Sequence, residues 1–180
     1  KSVAKDLVSK YSVLVDTHTL DLSVAGSADK LWSYIGNRIG NRKIDVLINN
    51  AGFGDVDDVI NADWKKAESM IYLNVTTLTR LSQLSAINMK KNGGGHIVNL
   101  ASIASFFPGP RMAVYYATKA YVLSFSESLS EELRGSGVFV TALCPGPTQS
   151  NFSKNADAEN SSIFKGNLPT SKEVAEFGYE

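Results

Sequence analysis

The sequence predicts an α/β fold in which a doubly wound parallel sheet forms the middle layer of a three-layer αβα sandwich. Strand-like apolar runs alternate with helical patterns along the whole chain, and this alternation requires crossover connections between parallel strands. The strand-like runs are continuously apolar instead of alternating apolar with polar residues. Continuous runs are typical of parallel strands that are buried on both faces of the sheet.

Four strands and four helices follow in order. The apolar runs predict strands at 13–18, 44–48, 96–101 and 138–143. Periodic patterns predict an opening helix before the first strand and later helices that end at 39, 91 and 134, each followed by a glycine within two residues. Ser23 or Ser27 is expected to cap the second helix. Asn61 or Asp63 is expected to cap the next helical stretch, ahead of a longer helix from about 71.

Length and composition indicate one globular domain over residues 1–180. Eighteen basic residues balance eighteen acidic ones, so no nucleic-acid partner is expected. Cys144 has no second cysteine to pair with, which fits a reducing compartment and a cytoplasmic location. The two histidines, His18 and His96, lack partners at metal-ligand spacing, and we expect no metal site.

Both ends of the chain are abnormal for a complete domain. The opening stretch KSVAKDLVSKY has helical spacing but no preceding cap, and SKEVAEFGYE stops inside a helical pattern. We therefore expect a domain that is incomplete at both ends, and the presence of a targeting peptide stays open.

Polar and small residues follow each predicted strand, where ligands bind in open α/β sheets. Asp21 follows the first strand, the stretch 49–52 the second, Ser102 the third, and Pro145 with Gly146 the fourth. Four strand ends that meet at one edge of a sheet predict a binding cleft there.

Tyr115 and Lys119 are four residues apart on a predicted helix, so their side chains share one face. A free phenol has a pKa near ~10, and a nearby ammonium lowers that pKa. The pair is thus a candidate general acid/base, although a plain helix-surface pair has the same spacing. Ser102 is a candidate donor to a substrate carbonyl or a simple turn residue. Asn74, a poor helix former, is either a cap or the anchor of a proton-relaying water.

Four motifs together resemble the short-chain dehydrogenase/reductase family. These are INNAG at 48–52, the NLAS run that ends at Ser102, YYATK at 115–119 and CPGP at 144–147, in the family's order and spacing. The resemblance spans essentially the whole chain. It implies a Rossmann-type fold and hydride transfer between a nicotinamide cofactor and an alcohol/ketone pair.

The resemblance also implies residue roles. Tyr115 would exchange the proton with the carbonyl oxygen, Lys119 would lower the pKa of Tyr115 and bind the nicotinamide ribose, Ser102 would orient the carbonyl, and Asn74 would support the proton relay. The cofactor-binding residues would be Asp21, Leu22, Asn50, Ala51, Gly52, Tyr115, Lys119, Pro145, Gly146, Thr148 and Ser150.

In one respect the sequence departs from the family pattern. The glycine-rich phosphate loop has no counterpart here, nor do the first strand, first helix and second strand that accompany it in the family. The residues that distinguish NAD from NADP belong to that second strand. The run before LDLS resembles family members that use NADP, so we expect NADP or NAD, with NADP favoured.

Substrate, assembly and an alternative function complete the expectations. The loop 103–112 is apolar and aromatic with one charged residue, Arg111, which favours an apolar carbonyl or alcohol substrate. The helices at about 71–91 and 113–134 are apolar beyond one stripe, and relatives pair through them, so we expect a homodimer or homotetramer. The alternative is a catalytically silent cofactor-binding or scaffold protein of the same fold.

Overall fold

The computed structural model describes residues 2–40, 42–156 and 166–179. Within these ranges a π-helical turn (Tyr72–Thr77) joins α3 to α4, and a 3₁₀ turn (Ile103–Phe106) precedes α5. The elements are α1 (Ser2–Tyr11), α2 (Ser27–Ile39), β1 (Val46–Asn49), α3 (Trp64–Ile71), α4 (Leu78–Lys91), β2 (Gly95–Leu100), α5 (Ala113–Glu132), β3 (Val138–Leu143), α6 (Phe152–Asn155) and α7 (Ser171–Tyr179).

The three described strands form a parallel sheet in the order β1-β2-β3, as the apolar runs predict. Val98 of β2 pairs with Ile48 of β1 and with Thr141 of β3, which sets the register. Both crossovers lie on one face, where α4 packs on β1 and β2 and α5 packs on β3. Ile97 and Val122 are fully buried in the core between this face and the helices.

The second face of the sheet is more open in the described ranges. Ile48 and Phe139 are 64% and 67% exposed there. The ring of His96 lies 2.8 Å from the hydroxyl of Thr141 on the same face. Helix α7 approaches at Leu143, where Gly178 leaves no room for a side chain.

The prediction of a strand at 13–18 is wrong. Residues 12–20 have no regular secondary structure, because an extended segment becomes a strand only when a neighbour exchanges backbone hydrogen bonds with it. Side chains of α2 hold the segment instead. Tyr34 and Arg38 donate to Asp16 over 3.0 and 2.5 Å, and the rings of His18 and Tyr34 stack with centroids 3.8 Å apart.

The expected serine cap of α2 is also wrong. Gly26 occupies the cap position in a left-handed conformation with φ 75°, and the hydroxyl of Ser27 donates backwards to the carbonyl of Leu22. At α3 the prediction is confirmed, because the Asp63 carboxylate accepts from the amide of Lys65. Gly40 ends α2 with φ 60°, as expected.

A buried polar ladder crosses the core beneath the sheet. The Asn99 side chain of β2 accepts from Asn49 of β1 over 2.9 Å and from Ser82 of α4 over 3.3 Å, and it donates to Ser126 of α5 over 3.0 Å. All four side chains are buried. Because unpaired polar groups are costly in a core, this ladder specifies how the two strands and two helices meet.

No described helix is both long and apolar enough to cross a membrane.

We expect Asn99→Ala to lower the free energy of unfolding by about 2–4 kcal/mol, because it leaves a void and removes three buried hydrogen bonds. Urea denaturation followed by circular dichroism measures the change. Asn61→Ala, at an exposed asparagine, is the matched control and should stay within about 0.5 kcal/mol of the unsubstituted chain. A loss below about 1 kcal/mol at Asn99 would contradict the role of the ladder.

Candidate active site

The loops that follow β1, β2 and β3 converge on the N-terminal half of α5. The amide of Ile103, after β2, donates to the carbonyl of Pro145, after β3, over 3.0 Å. The amine of Lys119 on α5 donates to the carbonyl of Leu100 at the end of β2 over 2.6 Å. A side chain on Gly52, after β1, would lie 3.0 Å from Asn74. The loops after the three described strands therefore meet at the carboxyl edge of the sheet, where the sequence predicts a binding cleft.

Tyr115 lies on α5 and is 8% exposed. Its ring packs in an apolar cluster with Met70 and Ala104, and Phe152 packs against the same cluster. Burial raises the pKa of Tyr115, and a side-chain hydrogen bond with Ser102 acts in the opposite direction. The phenol thus keeps its proton and stands beside a second hydroxyl.

Lys119, one turn further along α5, is 7% exposed, and its ammonium nitrogen lies 5.8 Å from the centroid of the Tyr115 ring. Burial lowers the pKa of Lys119 to about 8. Burial raises the pKa of Tyr115, and the expected effect of Lys119 on that pKa stays a prediction. The amine of Lys119 donates to the carbonyl of Leu100.

Ser102 is a turn residue, one of the two roles that the sequence leaves open, and its role as a donor to a substrate carbonyl stays a prediction. Its hydroxyl oxygen accepts from the amide of Ala104 over 3.1 Å and so caps the 3₁₀ turn. The same side chain opposes the rise of the pKa of Tyr115, and its hydroxyl donates to the carbonyl of Pro145 over 3.5 Å. The 3₁₀ turn therefore fixes the Ser102 hydroxyl between the loops that follow β2 and β3.

Asn74 lies inside the π-helical turn and is buried. Its amide oxygen accepts from the backbone N–H of Phe53 over 3.2 Å, and its amide nitrogen donates to the Phe53 carbonyl and to the Thr118 hydroxyl over 2.9 and 3.1 Å. Asn74 is therefore not a helix cap, and its role as the anchor of a proton-relaying water stays a prediction. It joins the loop after β1 to α5, and a π-helical turn is a frequent mark of a functional position.

The loop after β1 approaches this group closely at Gly52, where the absence of a side chain permits the contact. A Cβ atom on Gly52 would stand 3.0 Å from the Asn74 amide oxygen and 3.7 Å from the Lys119 nitrogen. Asn50 and Ala51, directly before it, are exposed. Gly146 also borders open space, since its nearest neighbour for a Cβ atom is a methyl group of Ile103 at 3.9 Å.

The remaining predicted cofactor residues lie at the two sides of the cleft. The Asp21 carboxylate accepts from the amide and hydroxyl of Ser23, which lowers its pKa. The carbonyl of Leu22 accepts from the hydroxyl of Thr77 over 2.8 Å, which ties this turn to the helix of Asn74. On the other side, the Thr148 hydroxyl donates to the Gly146 carbonyl, and Ser150 accepts from the Phe152 amide.

Three residues at this site carry no role in the sequence analysis. Thr118 falls inside the YYATK motif and holds Asn74, so its position in the motif is the signal that could have identified it. Gly54 and Phe152 contact Tyr115. They are distant from Tyr115 in sequence, and no spacing rule connects them with it.

The geometry agrees with comparisons to known proteins. Residues 1–161 match the short chain dehydrogenase family. The chain belongs to this family. Among short-chain dehydrogenase relatives, an uncharacterized oxidoreductase of Staphylococcus epidermidis is 30% identical over 137 residues. That match covers 76% of this chain and 59% of the relative, so the chain spans little more than half of the relative's length.

Solved structures of the short-chain dehydrogenase fold superpose closely. A short-chain dehydrogenase from Sphingobium yanoikuyae in complex with NADPH is 29% identical with a TM-score of 0.87, covering 99% of this chain and 69% of that one. A bulky-bulky ketone specific alcohol dehydrogenase from Comamonas testosteroni is 27% identical with a TM-score of 0.83, covering 99% and 66%. These likenesses confirm the predicted three-layer α/β fold of Rossmann type.

Burial of Lys119 predicts a pH-dependent effect on stability. The unfolded chain holds the proton of this lysine up to pH 10.5, and the folded chain releases it near pH 8. The unfolded state therefore binds more protons in this window, so the lysine destabilises the fold below pH 8 and the cost disappears as pH rises to 10.5. Lys119→Met should raise the free energy of unfolding by on the order of 1–3 kcal/mol at pH 7.

Urea denaturation at pH 7, 8.5 and 10 measures this effect, with Lys65→Met at an exposed lysine as control. The gain from Lys119→Met should shrink with rising pH, whereas the control should show no such trend. A destabilised Lys119→Met chain at pH 7 would show that the amine's hydrogen bond to Leu100 outweighs the cost of its burial.

Proposed function

We propose that the protein is an oxidoreductase that transfers a hydride between NAD(P)(H) and an alcohol/ketone pair. One observation carries the proposal: the phenol of Tyr115 is buried, its ring centroid lies 5.8 Å from the nitrogen of Lys119, and Ser102 opposes the rise of the pKa of Tyr115. A proton donor, a second hydroxyl and a cation thus meet at the ligand-binding edge of the sheet.

The residues present fit a nicotinamide cofactor. The exposed backbone of Gly52 lies close to the Lys119 amine, whose nitrogen is 3.7 Å from where a Cβ atom would stand, so that a ribose hydroxyl bound beside Gly52 would accept from the amine. Gly146 borders open space. When bound, the cofactor supplies or accepts the hydride. Further residues that would hold it are Asp21, Leu22, Asn50, Ala51, Pro145, Thr148 and Ser150. NADP is favoured over NAD, supported by the NADPH complex of the Sphingobium neighbour.

Proton transfer is the task of the chain itself. In reduction Tyr115 would give its proton to the carbonyl oxygen, and the raised pKa keeps that proton on the phenol until the substrate arrives. The Ser102 hydroxyl would donate to the same oxygen and orient it. The charged form of Lys119 would stabilise the phenolate left behind. Asn74, through Phe53 and Thr118, would position the loop and helix that border the proton path.

An apolar carbonyl compound or secondary alcohol is the substrate class that the site favours. The phenol of Tyr115 is surrounded by the side chains of its own cluster, which include Phe53, Met112, Val114 and Phe152. In the loop 103–112, Phe106 and Phe107 line an open groove together with Tyr116, the neighbour of Tyr115. The segment 151–171, which the sequence also predicts to flank the cleft, lies outside the described ranges at residues 157–165.

Assembly as a homodimer or homotetramer through α4 and α5 is part of the proposal. Of the apolar side chains of α5 expected at this interface, Val122 is fully buried and Phe125 packs on the core. Ile87 of α4 and Tyr121 of α5 are exposed, at 61% and 39%. A groove of about 620 Å³ is lined in part by Ala113, Ala117 and Ala120 of α5, whose small side chains would admit another helix. A cytoplasmic location, supported by the unpaired thiol of Cys144, completes the proposal.

Replacing the phenol tests the catalytic assignment. Tyr115→Phe should lower kcat by about 10²–10⁴-fold while NADPH still binds, because only the acid/base group is removed. Steady-state reduction of apolar ketones with NADPH or NADH measures turnover, and nicotinamide fluorescence measures cofactor binding. Lys119→Ala should weaken both quantities.

Tyr116→Phe is the matched control, since this neighbour has the same ring and lies outside the proposed catalytic group. It should keep kcat within about threefold. A Tyr115→Phe loss below about tenfold would refute the acid/base role. Cofactor binding without turnover of any ketone in the unsubstituted protein would favour the silent cofactor-binding alternative.

A charge on the outer surface of α5 tests the assembly. Tyr121→Glu should convert the dimer or tetramer to a monomer, because burying an unpaired carboxylate at an interface is costly. Sedimentation at micromolar concentration reports the mass. Ile60→Glu, at a residue 92% exposed in another part of the chain, should leave the mass unchanged. An unsubstituted protein that sediments as a monomer would contradict the proposal.

A further inference from the structure

Phe152 of the short helix α6 covers one side of the Tyr115 phenol. The two ring centroids are 5.2 Å apart and the rings are inclined by 51°. This contact distance is typical of a packed aromatic pair. The aromatic ring of α6 therefore lies at the group that exchanges the proton in the proposed reaction.

Gly54 makes this contact possible. It is buried after β1, and a Cβ atom there would stand 2.7 Å from the tip of the Phe152 ring and 3.1 Å from the Tyr115 ring. Any side chain at this position would collide with Phe152 and press on Tyr115. Because Gly54 has no Cβ atom, the Phe152 and Tyr115 rings can meet at its position, which we call the seat of Phe152.

Backbone hydrogen bonds hold α6 at this seat. The amide of Val56, two residues after Gly54, donates to the carbonyl of Ala156 over 3.1 Å, and Ala156 is fully buried. At the other end of the helix, the hydroxyl of Ser150 accepts from the Phe152 amide over 3.2 Å. The ring is therefore held from both sides of α6 and from the loop beneath it.

We propose that Phe152 is a specificity-determining residue, whose ring limits the size of the carbonyl substituent that fits beside Tyr115, and that Gly54 is its positioning residue. This inference rests on the proposed reduction of ketones by Tyr115. A ketone that places its oxygen at the phenol must direct one of its two substituents towards the neighbouring wall. With Phe152 in place, that substituent has to be small.

Two ketones that differ in the size of one substituent test whether Phe152 limits the space beside Tyr115. Acetophenone carries one methyl and one phenyl group, whereas benzophenone carries two phenyl groups. In the full chain with NADPH, Phe152→Ala should shift the ratio of kcat/KM for benzophenone over acetophenone upwards by about tenfold or more, since it frees the volume of one ring. Phe152→Leu should give a smaller shift in the same direction. Phe177→Ala, at an exposed phenylalanine of α7, is the matched control and should leave the ratio unchanged.

A double-substitution cycle tests the seat. Gly54→Ala alone should lower kcat/KM for acetophenone by at least about tenfold, because the new methyl group displaces Phe152 and Tyr115. In the Phe152→Ala background the same change should cost at least about fivefold less, because the closer of the two collisions is gone. An equal cost in both backgrounds would show that Gly54 does not act through Phe152 and would overturn its assignment.

The outcomes separate the inference from the proposed function. If the ratio changes less than about twofold in both Phe152 variants while Tyr115→Phe abolishes turnover, Phe152 does not determine specificity. The proposed reaction then still stands. If the unsubstituted protein reduces no ketone with either cofactor, the proposed function fails and the inference fails with it. If Phe152→Ala does not fold, as thermal denaturation would show, the Phe152→Leu ratio decides.

Discussion

The arrangement of the site depends on the three hydrogen bonds of the Asn74 side chain. Two of them join both backbone groups of Phe53, and the third joins Thr118 on α5. Thr118 in turn donates to the carbonyl of Tyr115 over 2.7 Å. One buried amide therefore sets the distance between the loop after β1 and the helix that carries the phenol. The close approach at Gly52 and Gly54 follows from this spacing.

Burial shifts the pKa values of the two ionisable residues in opposite directions, and at both residues it favours the uncharged form. It raises the pKa of Tyr115 and lowers the pKa of Lys119, because in both cases the apolar surroundings disfavour the charged form. The site thereby keeps a neutral phenol next to an amine whose charge is lost near pH 8. A group that arrives between them and accepts from the amine would restore its charged form. At Lys119 the destabilising effect of burial and the proposed chemistry thus concern the same side chain.

The polar ladder and the catalytic group share elements, which links core packing to the site. Asn49 is the last residue of β1, directly before the loop of Gly52 and Gly54, and Asn99 lies three residues before Ser102. Because both side-chain amides are hydrogen-bonded inside the core, the ends of β1 and β2 have a fixed position relative to each other. The loops that follow these two ends therefore start from fixed points and both reach α5. The hydrogen bonds of the polar ladder thus also help to position the two loops.

Local pattern and spacing determined the parts of this protein that need only near neighbours. The strand at 138–143, the glycines that end helices, and the shared face of Tyr115 and Lys119 all follow from periodicity and backbone preference. Tertiary structure alone decided the rest. Residues 12–20 form no strand without a pairing partner, and Asn74 enters a π-helical turn through bonds to residues 21 and 44 positions away. The seat of Phe152 and the direction of the Tyr115 pKa depend on burial and on contacts between distant segments, which no sequence period records.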